Sequence, residues 1–121
     1  MNEEQLLKSG ERINQLFSTD IKIIQNREVF SYSVDSVLLS RFPRFPKNGL
    51  IVDFCAGNGA VGLFASSRTK AKILSVEIQE RLADMAERSV RLNGLEEQMQ
   101  VICDDLKNMP SYIQGSKVDL I

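Results

Sequence analysis

Residues 50 to 66 read LIVDFCAGNGAVGLFAS, and no other stretch limits the possible folds so sharply. LIVDF at 50–54 is a short apolar run with a polar member, Asp53. Such a run suits a strand buried on both faces. Three glycines follow, Gly57, Gly59 and Gly62, and AVGLFASSR at 60–68 continues as a helix. A strand that must be covered on both sides, followed at once by a glycine turn and a helix, calls for a parallel sheet with helical crossovers.

The rest of the chain agrees after residue 49. AKILSVEI at 71–78 reads as a second strand and QVICDDL at 100–106 as a third. Between them QERLADMAERSVRLNG at 79–94 predicts a helix, with Leu82, Met85, Ala86 and Val90 at helical spacing. Asp84 with Arg88 and Glu87 with Arg91 are acid-before-base pairs that support it, and Gly94 stands where a C-terminal cap belongs. Residues 107–116 form a short connection. KVDLI at 117–121 begins a fourth strand, and a sheet interrupted inside such a strand is the pattern expected of part of a longer domain. Before residue 50 the pattern differs. Residues 1–18 read as a short polar helix, with Leu6, Leu7, Ile13, Leu16 and Phe17 as its apolar members. IKII at 21–24 and VFSYSV at 29–34 read as a hairpin. VDSVLLSRF reads as a helix ended by the prolines of PRFPKNG.

The glycines match G-x-G-x-x-G, and Glu77 follows Gly57 at the distance a dinucleotide fingerprint asks for. Asp53 does not belong to that fingerprint. In sheets of this kind ligands bind beyond the carboxyl ends of the strands. The three inspectable ends carry Asp53, then Glu77, then Asp104 and Asp105. Carboxylates there oppose a pyrophosphate, which wants N–H groups and a helix dipole. They suit a ligand with cationic and hydroxyl groups, such as S-adenosyl-L-methionine. Glu77 could accept both ribose hydroxyls, Asp53 could lie near the ammonium, and Asp105 could accept from the adenine amino group. The glycines allow close backbone approach.

Asp53, Gly57, Gly59, Glu77 and Asp105 together resemble the class I S-adenosylmethionine-dependent methyltransferases. Cys55 stands where their usual acid-x-Gly-x-Gly-x-Gly loop has its first glycine. DFCAGNG with the upstream SYSVDSVLL is similar to the small-domain group that methylates adenine N6 of valine tRNA, over about residues 10 to 121. The resemblance implies an α/β fold, a Rossmann-like class I methyltransferase sheet of parallel strands with flanking helices. It would be cut short at residue 121 and preceded by an α+β extension, residues 1–49, covering the cofactor site. It implies cofactor contacts from Tyr32, Asp35, Asp53, Ala56, Gly57, Asn58, Gly59, Glu77, Ile78, Asp104, Asp105 and Leu106. The family's Asn-Pro-Pro-Tyr, which holds the target amine, would fall just beyond Ile121. Catalytic residues are therefore expected outside this stretch, and residues 1–121 alone are expected not to turn over. The implied partner of the whole protein is RNA, above all tRNA, with no membrane and no metal. Protein glutamine is a related target that can share the tetrapeptide.

Other readings stay open. An NAD(P)-dependent oxidoreductase and a non-catalytic nucleotide-binding module both fit the glycines. Asp35 could be the N-terminal acid of a helix, Tyr32 core, and one of Asp104 and Asp105 a turn cap. Cys55 reads as a small packing residue. With 15 basic and 16 acidic residues the net charge of −1 gives no global pull on nucleic acid. RFPRFPK at 41–47 mixes cations with phenylalanines, and a linker whose rings pack inward is the simpler reading. The two cysteines, without histidine, disfavour zinc. They would end strands separated by another strand, roughly 9–10 Å apart, beyond the about 7 Å a disulfide tolerates. Reduced thiols in a cytoplasmic protein are expected.

Overall fold

The computed structural model describes residues 2–17, 19–29, 32 and 34–121. Its elements are β1 (Arg12–Gln15), β2 (Lys22–Gln25), α1 (Val34–Arg41), β3 (Leu50–Phe54), α2 (Ala60–Ser66), β4 (Lys72–Val76), α3 (Glu80–Leu92), β5 (Met99–Ile102) and α4 (Met109–Ile113). β3, β4 and β5 form a parallel sheet in that order, and β1 and β2 form a separate antiparallel pair. The predicted fourth strand shrinks to one parallel bridge, Leu120 beside Ile51 on the free side of β3. The Val52 amide donates to the Leu120 carbonyl at 2.9 Å. The chain therefore adds β4 and β5 on one side of β3 and returns to its other side. That reversal marks the place where such sheets bind ligands.

The alternation of the strands sorts the core into two layers. Ile51, Ile73 and Met99 face α2 and α3, together with Leu63, Phe64 and Val90. Val52, Val76 and Ile102 face the other way, where Met109 of α4 covers them. A third cluster joins Leu82 and Met85 of α3 to Ile24 of β2, with Ile13 and Leu6 beside them. α3 is thus buried between the sheet and the hairpin. It ends as its sequence predicts. Gly94 takes φ 66°, its amide donates to Arg91 at 3.1 Å and the next amide, of Leu95, donates to Val90 at 3.0 Å.

The N-terminal reading needs correction. Residues 1–18 do not form one helix: a 3₁₀ turn spans Glu3–Leu6 and β1 follows. Gly10, at φ 78°, turns the chain between them. β2 pairs with β1, Ile24 opposite Ile13, and not with 29–34. Val29 lies in a turn and Val34 starts α1, while Phe30, Ser31 and Ser33 of that predicted strand lie outside the described residues.

Polar side chains fix the hairpin to α3. Asn93 accepts from the Lys22 amide at 2.8 Å and donates to the Lys22 carbonyl at 2.6 Å. Ser89 Oγ accepts from the Ile24 amide at 2.9 Å, and Asn58 Nδ2 donates to the Ile24 carbonyl at 3.3 Å. Arg88, 4% exposed, reaches Glu11 at 2.5 and 2.7 Å and the Leu6 carbonyl at 2.6 Å. Burial alone would raise the Glu11 carboxyl, but hydrogen bonds from Arg88 and the Lys8 amide outweigh it and hold it below its ordinary value. Asp84 pairs with Arg88 at 2.9 Å as its spacing predicts. Among the described residues no such pair joins Glu87 to Arg91.

Candidate functional site

The glycine loop connects β3 to α2 at the carboxyl ends of the strands. Gly59 takes φ 88°, and a Cβ there would meet the Ala86 Cβ of α3 at 3.1 Å. At Gly62 a Cβ would lie 2.8 Å from Met99 Cε and 2.9 Å from Ser75 Oγ. Gly62 therefore serves the close seating of α2 on the sheet, while Gly57 and Gly59 shape the loop. Cys55 takes φ 57°, a left-handed conformation unusual for a residue with a side chain. Its thiol is exposed, contrary to the packing role expected. The Cys103 thiol is also exposed and free, and β4 lies between the two strands they end.

Glu77 is the centre of the site. It is 6% exposed. Oε1 accepts from the Gly57 amide at 2.9 Å and Oε2 from the Gln79 amide at 2.9 Å. Each carboxylate oxygen has a further lone pair. Glu77 can therefore hold the loop and still accept two hydroxyls. Beside it opens a cavity of about 220 Å³, walled by Cys55, Glu77, Ile78, Asp104, Asp105 and Leu106. Ile78 and Leu106 are 62% and 47% exposed although apolar. Two exposed aliphatic side chains above a carboxylate make a slot for a flat apolar ring that carries hydroxyls at one end.

The two aspartates behave differently. Asp104 is occupied locally. It accepts from the Asp105 amide at 2.7 Å, from Asn108 at 2.8 Å and from the Tyr112 hydroxyl at 2.7 Å. These bonds, Asn108 first, hold its carboxyl below the ordinary range. Asp105 caps the following turn through the Lys107 amide at 3.0 Å and keeps its second oxygen only 3.7 Å from the Lys107 ammonium. Asp105 is the cap, and it keeps the freer oxygen.

Asp53 does not wall this cavity. It lies on β3, at the free side of the sheet, in a second, larger groove of about 430 Å³ with Leu39, Phe42, Val61 and Ile121. Its Oδ2 is buried without a hydrogen-bond partner. Burial, and then the Glu77 charge, push its carboxyl up to about 6. The Asn58 side chain also turns away: it is fully buried and bonded to Ile24. Ala56 and Gly57 stay in the loop through backbone, the Ala56 amide donating to Val76 at 3.0 Å. Tyr32 and Asp35 are not brought to the cavity. The Tyr32 amide donates to Gln25 at 2.7 Å and its ring meets Phe64 edge-on at 6.0 Å, while Asp35 is exposed on the first turn of α1. Val76 and Gln79 complete the cavity wall and were not foreseen, since nothing in their types marks a ligand. Among the described residues no group of three or more His, Cys, Asp or Glu could hold a metal ion. None of the helices described is long and apolar enough to cross a membrane.

The parallel order, the glycine loop and the acid at the end of β4 define the fold as that of the class I methyltransferases. Pyrococcus horikoshii TYW2, solved with MeSAdo, superposes with a TM-score of 0.71 over 85% of this chain and 39% of its own, at 20% identity. Residues 35–121 match the family described as conserved hypothetical protein 95, and the chain belongs to that family. A tRNA1(Val) (adenine(37)-N6)-methyltransferase of Shewanella halifaxensis is 29% identical over 89 residues, covering 74% of this chain and 36% of the relative. One of the same name from Bacteroides fragilis is 25% identical over 87 residues, covering 72% and 37%. The chain therefore spans little more than a third of the length of these curated relatives.

Proposed function

We propose that residues 1–121 form the cofactor-holding part of an S-adenosyl-L-methionine-dependent methyltransferase that modifies adenine N6 in tRNA or another RNA. The observation that carries this reading is the slot beside Glu77. Its carboxylate has two free lone pairs beneath exposed Ile78 and Leu106, with Asp105 at the rim. These groups fit an adenosine: ribose hydroxyls on Glu77, the ring between the aliphatic side chains, the exocyclic amine toward Asp105. The bare, buried Oδ2 of Asp53 fits a cationic group near the loop. The cofactor, when bound, supplies a sulfonium methyl group open to attack by an amine. The work of the protein is then positioning: the glycine loop removes side chains from the approach and Glu77 fixes the loop. The names of the curated relatives favour tRNA as substrate. Two free thiols suit a reducing, cytoplasmic setting.

Calorimetric titration with S-adenosylhomocysteine, with NAD in parallel, tests the reading. S-adenosylhomocysteine should bind and NAD should not. Glu77→Ala should weaken binding roughly a hundredfold, about 2–3 kcal/mol for a buried charged acceptor. Ile78→Asp, at an exposed position, should weaken it without unfolding the chain. Binding of NAD alone would overturn the proposal.

A further inference from the structure

At the amino end of the sheet, away from the cofactor slot, the segment after α1 meets the turn between α2 and β4. Arg68 donates to the Ser40 carbonyl at 3.2 Å and stacks its guanidinium 5.5 Å over the Phe45 ring. The Thr69 hydroxyl donates to the Pro46 carbonyl. The two phenylalanines of RFPRFPK therefore part company. Phe45 packs against the core, and Phe42 stands 86% exposed. The same segment carries Arg41, Arg44 and Lys47, and the turn it meets carries Arg68 and Lys70, all exposed. Among the described residues none of the five is ion-paired. No acid occurs between Ser36 and Val52 or between Phe54 and Val76. The acids that border this surface are Asp53, which lines one groove with Phe42, Asp119, already bonded to the Leu50 amide and Lys117, and Glu96 and Glu97 in the turn after α3.

Unpaired cations on a chain of net charge −1 ask for a polyanion. An exposed aromatic ring on the same segment adds a requirement for a flat apolar face. A duplex keeps its base faces stacked; a single strand can offer one. We infer that this surface docks a single-stranded stretch of RNA, its phosphates on Arg41, Arg44, Lys47, Arg68 and Lys70 and an unstacked base on Phe42. The inference rests on the preceding proposal for its choice of RNA. The segment that carries the cations meets the turn at the amino end of the sheet, while Phe42 lines the groove that runs along β3 to Asp53 and Phe54, so the surface grips the substrate beside the slot and sets its register.

The test is fluorescence anisotropy of a labelled, unstructured RNA of about 15 nucleotides between roughly 50 and 200 mM salt. Arg41→Glu with Arg44→Glu should weaken binding about tenfold or more and lower the salt slope by about two. Phe42→Ala should weaken it roughly fivefold or more with the slope unchanged. Arg81→Glu makes the same kind of charge change on the exposed first turn of α3 and should move affinity less than about twofold. The inference is overturned if the Arg41 and Arg44 changes do no more than Arg81→Glu, or if Phe42→Ala is silent and a duplex binds as tightly. S-adenosylhomocysteine titration of each variant separates the two readings. Retained cofactor binding with lost RNA binding bears out this surface, and RNA binding without cofactor binding sinks only the slot.

Discussion

α3 is held on its two sides by different means. Toward the sheet, contact is a matter of shape: Gly59 lets the loop sit against Ala86, and Val90 joins the same apolar cluster as Ile73 and Met99. Toward the hairpin, the apolar contacts of Leu82 and Met85 are joined by Arg88, Ser89 and Asn93, whose polar atoms meet backbone groups of residues 6 to 24. A short, four-residue strand offers little apolar area. Directed bonds supply the alignment that area alone would leave loose. Losing volume on the sheet side leaves a gap; losing a polar group on the hairpin side leaves its partner buried and unpaired.

The largest expected effect breaks that second side. Arg88→Ala strands Glu11 and the Leu6 carbonyl and should lower unfolding free energy by about 3–5 kcal/mol in urea denaturation. A loss below about 1 kcal/mol would mean the hairpin is held by shape after all. Because the Glu11 carboxyl titrates below its ordinary value in the folded chain, its contribution is full above the unfolded pKa and fades as pH falls through the folded one.

Asp53 carries the opposite sign. Its folded value of about 6 lies above the unfolded 3.8. The folded chain binds the extra proton between these values, so stability should fall as pH rises through that window. Asp53→Asn should remove this pH dependence and stabilise the cofactor-free chain at neutral pH by on the order of 2–3 kcal/mol. Unchanged stability across the window would show that Oδ2 reaches water. Ser89→Ala leaves the Ile24 amide without a partner and should cost about 1–3 kcal/mol, with hydrogen exchange at Ile24 quickening first. The smallest effect belongs to the loop. Cys55→Gly relieves a left-handed residue and should stabilise by about 1 kcal/mol, read as a rise in melting temperature.

How legible these features were depends on the range of the forces behind them. LIVDF, the glycine loop and α3 announce themselves because each pattern is local: a double-faced strand, a turn, one apolar stripe. RINQ at 12–15 has a single β-branched residue, and β1 exists because β2 and α3 stand beside it. Among the residues around the slot, Glu77 and Asp105 were legible by their place at strand ends, which the topology fixes, while Ile78 and Leu106 came only with the family resemblance. Asp53 was grouped with Glu77 and Asp105; it shares the strand parity of Glu77, and its place on β3, at the free side of the sheet, is what puts it in the other groove. Asn58 read as a loop residue, and only the hairpin's position shows why its amide turns inward. Arg88 was legible as a partner of Asp84 but not as a buried one, since Glu11 lies 77 residues away.

That separation has a consequence in time. Asn93 bonds Lys22 across 71 residues, and Arg88 reaches Leu6 across 82. At about 5–20 residues per second of synthesis, roughly 4 to 14 seconds pass between the making of Lys22 and of Asn93. Through that interval the hairpin has no helix to lie on, and two short strands alone hold no lasting structure in water. The part of this chain made earlier is therefore fixed later, and its docking reports that α3 has already formed.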